Sequence, residues 1–303
     1  MTNNPLACDL KTGICGEVEQ NEEEIINFSS PKANITMYYF TDPICSHCWA
    51  LEPELRKFIY LYRHYFKTQT IMGGLLPQWS GFADVKNGIS GPADLVGHWQ
   101  EVGQHSRMPI DGTVWLYDPL HSSYPPSQVY EVIKHEHPPF GEGFLRRLRE
   151  QLFVFNENIA KEEVLIRLVN ELGLDGKEIM KKATSPQGDL WLQDDFTLKE
   201  QIGVRGFPTV VLMDKENKGV KLVGQRRAED YITALEKLVG TQLTAGKLPS
   251  LAEVLQKEHR LFAKEIEVLY DVSPAELEAF MENELQGVYV TKEILGEKYY
   301  EKG

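Results

Sequence analysis

Cys45 and Cys48 are separated only by Ser46 and His47, with Asp42-Pro43-Ile44 before them and Trp49 after. A Cys-x-x-Cys pair holds two thiols close enough for the second to attack a mixed disulfide formed on the first, so its native chemistry is reversible dithiol exchange. The pair follows an apolar stretch, Ile35 to Phe40, and opens a helical one, Ala50 to Tyr65. Free N–H groups and the positive end of the dipole at a helix N-terminus stabilise a thiolate. His47 adds positive charge and favours the thiolate further. On this reading Cys45, at the helix mouth, is the exposed nucleophile, and Cys48, further in, is the more buried resolving thiol. The same residues also admit half of a zinc site or two inert core cysteines. No second Cys-x-x-Cys and no His-x-x-x-His lies downstream, so a four-ligand zinc site lacks its partners. The eight histidines have no spacing that suggests a metal centre.

A second run, Val204-Arg205-Gly206-Phe207-Pro208-Thr209-Val210-Val211-Leu212-Met213, leads from a helical segment into a β-branched stretch. Pro208 cannot donate a ladder hydrogen bond, so it belongs at an irregular strand entry. An X-Pro bond also makes a cis peptide accessible. The reading that joins the two motifs is a cis-proline loop facing the dithiol and offering an unpaired backbone edge to a polypeptide. An ordinary loop proline is the plainer alternative.

These motifs resemble the thioredoxin superfamily, and within it the DsbA-like branch. The run Phe40-Thr41-Asp42-Pro43-Ile44-Cys45-Ser46-His47-Cys48-Trp49, with Met72-Gly73-Gly74-Leu75 and Gly206-Phe207-Pro208-Thr209, is similar to FrnE-type cytosolic dithiol oxidoreductases. The resemblance spans roughly residues 35 to 240. The C-terminal stretch and overall layout also resemble bacterial adaptors that deliver the regulator Spx to the ClpXP protease. The resemblance implies thiol–disulfide exchange on protein or peptide thiols. Cys45, Cys48, His47 and Pro208 would be catalytic, and Trp49, Gly73, Gly74, Phe207 and Thr209 would line the substrate edge. Trp49 is expected at the active-site rim. The adaptor likeness implies a proteolysis regulator as partner, with the dithiol as a redox switch. No organic cofactor is called for, since the electrons reside on sulfur, and no metal is expected.

The elements that must position these residues follow from periodicity. Ile35 to Phe40 reads as a strand, Cys45 to Tyr65 as a helix with Leu51, Leu55, Ile59 and Tyr62 on one face, and Thr68 to Met72 as the next strand. Gly73-Gly74 breaks the pattern and lets backbone pass closely near the dithiol. A helical block follows, including Ala93 to His105, a helix begun by Pro125-Pro126, and Gly143 to Asn156 with an apolar stripe through Phe144, Leu145, Leu148, Leu152 and Phe155. Arg146, Arg147 and Arg149 sit among Glu142 and Glu150 and read as a solvated helix face. Thr209 to Met213 and Val220 to Val223 read as a hairpin. The fold class is therefore α/β: a DsbA-like thioredoxin fold over 34–84 and 187–245, a helical insertion over 85–186, and an appendage over 250–303. In the appendage Leu251 to Tyr270 reads as one helix, Ser273-Pro274-Ala275-Glu276 starts another, and two short strands suggest a winged-helix-like shape. Glu276, Glu278, Glu282 and Glu284 on the second helix would repel phosphates, which favours docking on protein.

Residues 1–33 read as an irregular tail. Cys8 and Cys15 within it form a possible second pair, as a local disulfide, as metal ligands, or as two exposed thiols. The net charge of −13 argues against nucleic-acid or anionic-membrane binding. No secretory leader and no membrane-length apolar run is read, so a cytoplasmic location is expected.

Overall fold

The computed structural model describes residues 8–9, 14–16, 24–27, 35–79 and 91–303. Strands β1 (Cys8–Asp9), β2 (Ile14–Gly16) and β3 (Glu24–Asn27) precede β4 (Ile35–Thr41). Helix α1 (Ser46–Tyr62) carries the chain to β5 (Phe66–Met72). The helical block comprises α2 (Leu95–Ser106), α3 (Val114–Tyr117), α4 (Tyr124–Glu136), α5 (Gly141–Arg149, continued by a π turn over Glu150–Val154), α6 (Glu162–Asn170), α7 (Gly176–Ala183) and α8 (Pro186–Ile202). Strands β6 (Gly206–Phe207), β7 (Thr209–Met213) and β8 (Lys218–Val223) and helix α9 (Ala228–Val239) follow. The chain ends with α10 (Leu251–Glu258), β9 (Arg260–Phe262), α11 (Ala263–Tyr270), α12 (Leu277–Leu285), β10 (Tyr289–Ile294) and β11 (Glu297–Lys302).

The central sheet runs β3-β8-β7-β4-β5. Because a helix joins them, β4 and β5 are parallel, from Ile35↔Phe66 to Thr41↔Met72. Strand β7 is antiparallel to β4, with Phe40 opposite Thr209. Alternation along β4 splits its side chains between two layers. Met37 and Tyr39 pack with Leu51, Leu55 and Phe58 of α1 and Tyr231 and Leu235 of α9. Phe40 faces the helical block, with Trp99, Trp115, Phe144 and Phe153. Both faces are thus covered, which is why every residue of β7 is buried.

The described parts of the N-terminal stretch, which its composition suggests is irregular, are strands. β3 adds to β8 at the sheet edge, and β2 pairs with β6, Cys15 opposite Phe207 and Gly16 opposite Gly206. Unpaired strand edges are templates for a passing chain, and the polar tail supplies two such chains. The Cα atoms of Cys8 and Cys15 are cross-strand partners, but the expected second pair involves side chains outside the described residues.

In the appendage the sheet order is β10-β11-β9, so each strand lies where a winged-helix arrangement puts it. Leu251 to Tyr270 is not one helix. Ser250 caps α10 by accepting from the Glu253 N–H, and the Glu253 carboxylate accepts from the Ser250 N–H. The helix stops at His259, whose φ of 65° is left-handed. Residues 260–262 then pair with 299–301, and the Phe262 N–H donating to Glu265 restarts the next helix. The regular part of α12 begins at Leu277, just after the expected start.

Candidate dithiol site

Strand β4 ends at Thr41 and delivers Asp42, whose buried carboxylate accepts from the Ile44 N–H (3.1 Å), the Leu75 N–H (2.7 Å) and the Ser123 hydroxyl (3.0 Å). One carboxyl therefore ties the dithiol turn to the loop after β5 and to the start of α4. Burial pushes that carboxyl up to about 6 against the pull of those hydrogen bonds and of Arg149. Cys45 is the N-cap of α1, and its sulfur accepts from the Cys48 N–H at 3.2 Å. The two cysteines are paired, with Cα atoms 5.2 Å apart, within the range a disulfide needs.

The sequence places Cys45 at an exposed helix mouth, and the structure corrects this: both cysteines have no accessible surface. In the reduced pair, burial pushes the Cys45 thiol well up, and the Cys48 sulfur beside it adds to the rise. Burial also pushes Cys48 up, but the hydrogen bond from Cys45, the Arg149 charge and the Thr41 hydroxyl outweigh it and hold that thiol below its ordinary value. His47 is buried as well, its ring edge-on to His98 at 5.9 Å.

The cation that acts on both sulfurs is Arg149, which the sequence reading put on a solvated face. Its side chain is fully buried. The guanidinium donates to Glu52 of α1 and to the Thr41 hydroxyl, reaches the Asp42 carbonyl at 3.4 Å, and lies 5.9 Å from the Tyr39 ring centre. Arg146 is buried too: it makes two hydrogen bonds to Glu265 (2.6 and 3.0 Å), one to the Arg260 carbonyl (2.9 Å) and an ion pair with Glu150 (2.8 Å). Only Arg147 is partly solvated. The readable signal was position: Arg149 lies four residues after Leu145 and three before Leu152, inside the apolar stripe of its own helix.

Trp49 is not at a rim. It is fully buried, donates to the Pro109 carbonyl at 3.1 Å, stacks on Phe153 and meets the edge of Phe262 from the appendage. The appendage therefore packs directly behind the dithiol helix. Lys57 and Arg56 of α1 reach Asp271 and Glu258, and Arg107 of the helical block grips Glu267 with two hydrogen bonds. The linker hydrogen-bonds through the Gly246 N–H to the Leu61 carbonyl.

The Phe207–Pro208 bond is cis. A Cβ on Gly73 would sit 2.1 Å from the Phe207 ring, so the absent side chain makes room for that aromatic group. Gly73 also donates to the Thr41 carbonyl at 2.7 Å. Gly74, at φ 68°, faces the Phe196 ring in the same way. Thr209 turns inward, its hydroxyl donating to the Gly206 carbonyl at 2.8 Å. Phe40, just before the dithiol turn, lies opposite Thr209, and Gly73 links the end of β4 to the Phe207 ring, so the two sequence motifs lie at the same end of the sheet. No group of His, Cys, Asp and Glu suited to a metal occurs among the described residues, and none of their helices is long and apolar enough to cross a membrane.

A thioredoxin family model matches residues 38–233. The chain is 31% identical over 277 residues to the ClpXP adapter protein SpxH of Halalkalibacterium halodurans, covering 91% of this chain and 90% of that one. It is 28% identical to the SpxH of Bacillus subtilis, covering 83% of each. Among solved structures it is similar in fold to the cytosolic disulfide reductase DsbM from Pseudomonas aeruginosa, with a TM-score of 0.53 and 22% identity, over 68% of this chain and 98% of that one.

Proposed function

Because this chain belongs to the SpxH family of thioredoxin-fold proteins, we propose that it is an adaptor that presents a transcriptional regulator of the Spx type to the ClpXP protease, with Cys45–Cys48 as a redox-responsive element. The observation that carries this reading is the closure of the dithiol. Cys45, Cys48, His47 and Trp49 are all buried, and the appendage is packed against Trp49 through Phe262 and against α1 through the Arg56–Glu258 ion pair. A turnover enzyme must present its nucleophilic sulfur to many partners; reactive cysteines are partly exposed for that reason. A binding protein has no such need. Docking of the appendage on the body leaves an acidic outer surface on and beside α12, with Glu276, Glu282 and Glu284 exposed toward a basic protein.

A second reading, a thiol–disulfide oxidoreductase or isomerase acting on protein or peptide thiols, is favoured by the Cys45 N-cap and the Cys48 N–H donated to its sulfur. In it Cys45 takes the mixed disulfide and Cys48 resolves it, with Pro208 and Phe207 at the peptide edge. Both readings place the protein in the cytoplasm. The test is a pair of measurements on the whole protein. Affinity capture with an immobilised Spx-type regulator should retain it in stoichiometric amounts, while insulin reduction with dithiothreitol should show little acceleration over buffer. Rapid catalytic insulin reduction without capture would overturn the adaptor reading in favour of the oxidoreductase.

A further inference from the structure

Strand β6 is two residues long, and its described partner is β2 of the same chain. The register forms a row: the Cα of Cys8 lies opposite that of Cys15, and the Cα of Cys15 lies opposite that of Phe207, the residue before Pro208. Phe207 in turn packs over Gly73, whose N–H is bonded to the end of β4, and shares a buried cluster with Cys45 and Cys48. The backbone thus brings Cys15 to the strand edge at the dithiol's end of the central sheet, with Cys8 one strand further out. That edge is where an extended peptide would otherwise add by main-chain pairing.

We propose that residues 14–16 are a built-in occupant of this peptide edge and that Cys15 is the internal exchange partner of Cys45–Cys48. The inference rests on Cys45–Cys48 being the redox-responsive element of the proposed function, and hence open to exchange with a small thiol or with a partner in the same chain. The exchange balances without any outside reagent. The Cys15 thiolate attacks the Cys45 sulfur, a Cys15–Cys45 bond forms, and Cys48 departs as a thiolate. The Cys8 thiolate then attacks the Cys15 sulfur, Cys8–Cys15 forms, and Cys45 departs as a thiolate. Two electrons move from the N-terminal pair to the dithiol, and the reverse steps return them. In the first step Cys48 is the better leaving group, being held below its ordinary pKa by Arg149 and Thr41. While β2 is in place, a peptide from another protein must displace it to reach Phe207.

Trapping tests this on the full chain. In the variant C8S/C48S, Cys15 and Cys45 are the remaining cysteines; in C15S/C48S they are Cys8 and Cys45. Each is treated with oxidised glutathione and mapped by mass spectrometry of non-reduced digests, with circular dichroism to verify folding. The first should form an intramolecular Cys15–Cys45 bond at a rate independent of protein concentration, on the order of tenfold faster than the second forms Cys8–Cys45. Equal rates, or glutathione retained on Cys45 with no transfer to Cys15, would overturn the inference while leaving dithiol exchange intact. Failure of glutathione to react with Cys45 in either variant would instead sink the exchange chemistry itself. If the double variants are unfolded, the wild-type protein decides: after partial reduction and removal of the reductant, the two singly reduced species should interconvert at a rate independent of protein concentration, and singly reduced species that do not interconvert refute the transfer.

Discussion

Replacing Arg149 by methionine should make the Cys45–Cys48 disulfide harder to reduce. The guanidinium is buried, and its charge lowers the pKa of both thiols. A cation next to an acid typically lowers its pKa by about 1–3 units. Taking the lower end, loss of one unit is about 1.4 kcal/mol less stabilisation of the thiolate. A thiolate exists only in the reduced form, so its loss destabilises that form and moves the two-electron potential negative by about 30 mV. Glu52 stays behind with its negative charge, still paired with Arg56 at 3.2 Å, and its repulsion acts in the same direction. Breaking a buried pair costs about 3–5 kcal/mol of stability; the remaining Arg56 contact should keep Arg149→Met near the lower figure. The assay is a glutathione redox titration at about pH 8, where a thiolate is populated, with R149M/E52Q as the companion that removes both charges. The companion should recover part of the stability and the share of the potential shift due to Glu52, but not the share due to Arg149. An unchanged or more positive potential in folded Arg149→Met would refute the electrostatic reasoning.

Other outcomes follow from the same contacts. Asp42 has a folded-state pKa raised to about 6, so its contribution to stability is present below its unfolded value and is lost as pH rises through 6; relative to Asp42→Asn, the wild type should lose on the order of 3 kcal/mol between about pH 4 and pH 7 in urea titrations. Glu258 behaves oppositely: burial pushes it up, but Arg56 and Arg146 hold it at about 2, so its stabilisation persists above its unfolded pKa and is lost as pH falls toward 2, which Glu258→Gln should make visible as a flatter acid limb. Gly73→Ala puts a methyl group into the buried Phe207 ring and should cost about 1–3 kcal/mol by thermal unfolding. Truncation after Pro249 strips Arg146 of Glu265 and Trp49 of Phe262, and should lower the urea midpoint of the remaining body rather than leave it untouched.

The β–α–β start, the Cys-x-x-Cys at its helix mouth, the helical block and the β7–β8 hairpin were legible because each has a strong local pattern. Pro208 was legible for the same reason. What could not be read was tertiary. Arg146 and Arg149 have the composition of a solvated face, and it takes distant partners, Glu52 and Glu265 foremost, about a hundred residues away in either direction, to make their burial tolerable. Trp49 follows the reactive motif but is sealed by Phe262, a residue of the far C-terminus. The strands of the N-terminal stretch have no periodicity of their own; they form because β6 and β8 offer edges. The break in the helix at His259 likewise depends on β11, forty residues later.

As the proposed adaptor, this chain would hand a regulator to a protease. The most direct measurement is degradation of a purified Spx-type regulator by purified ClpXP, followed over time with and without this protein. Degradation should be slow without it and accelerate with added protein until roughly one adaptor per regulator, and this protein should not itself be consumed. A degradation rate unchanged by the protein at any ratio, in either redox state of Cys45–Cys48, would rule out the adaptor function.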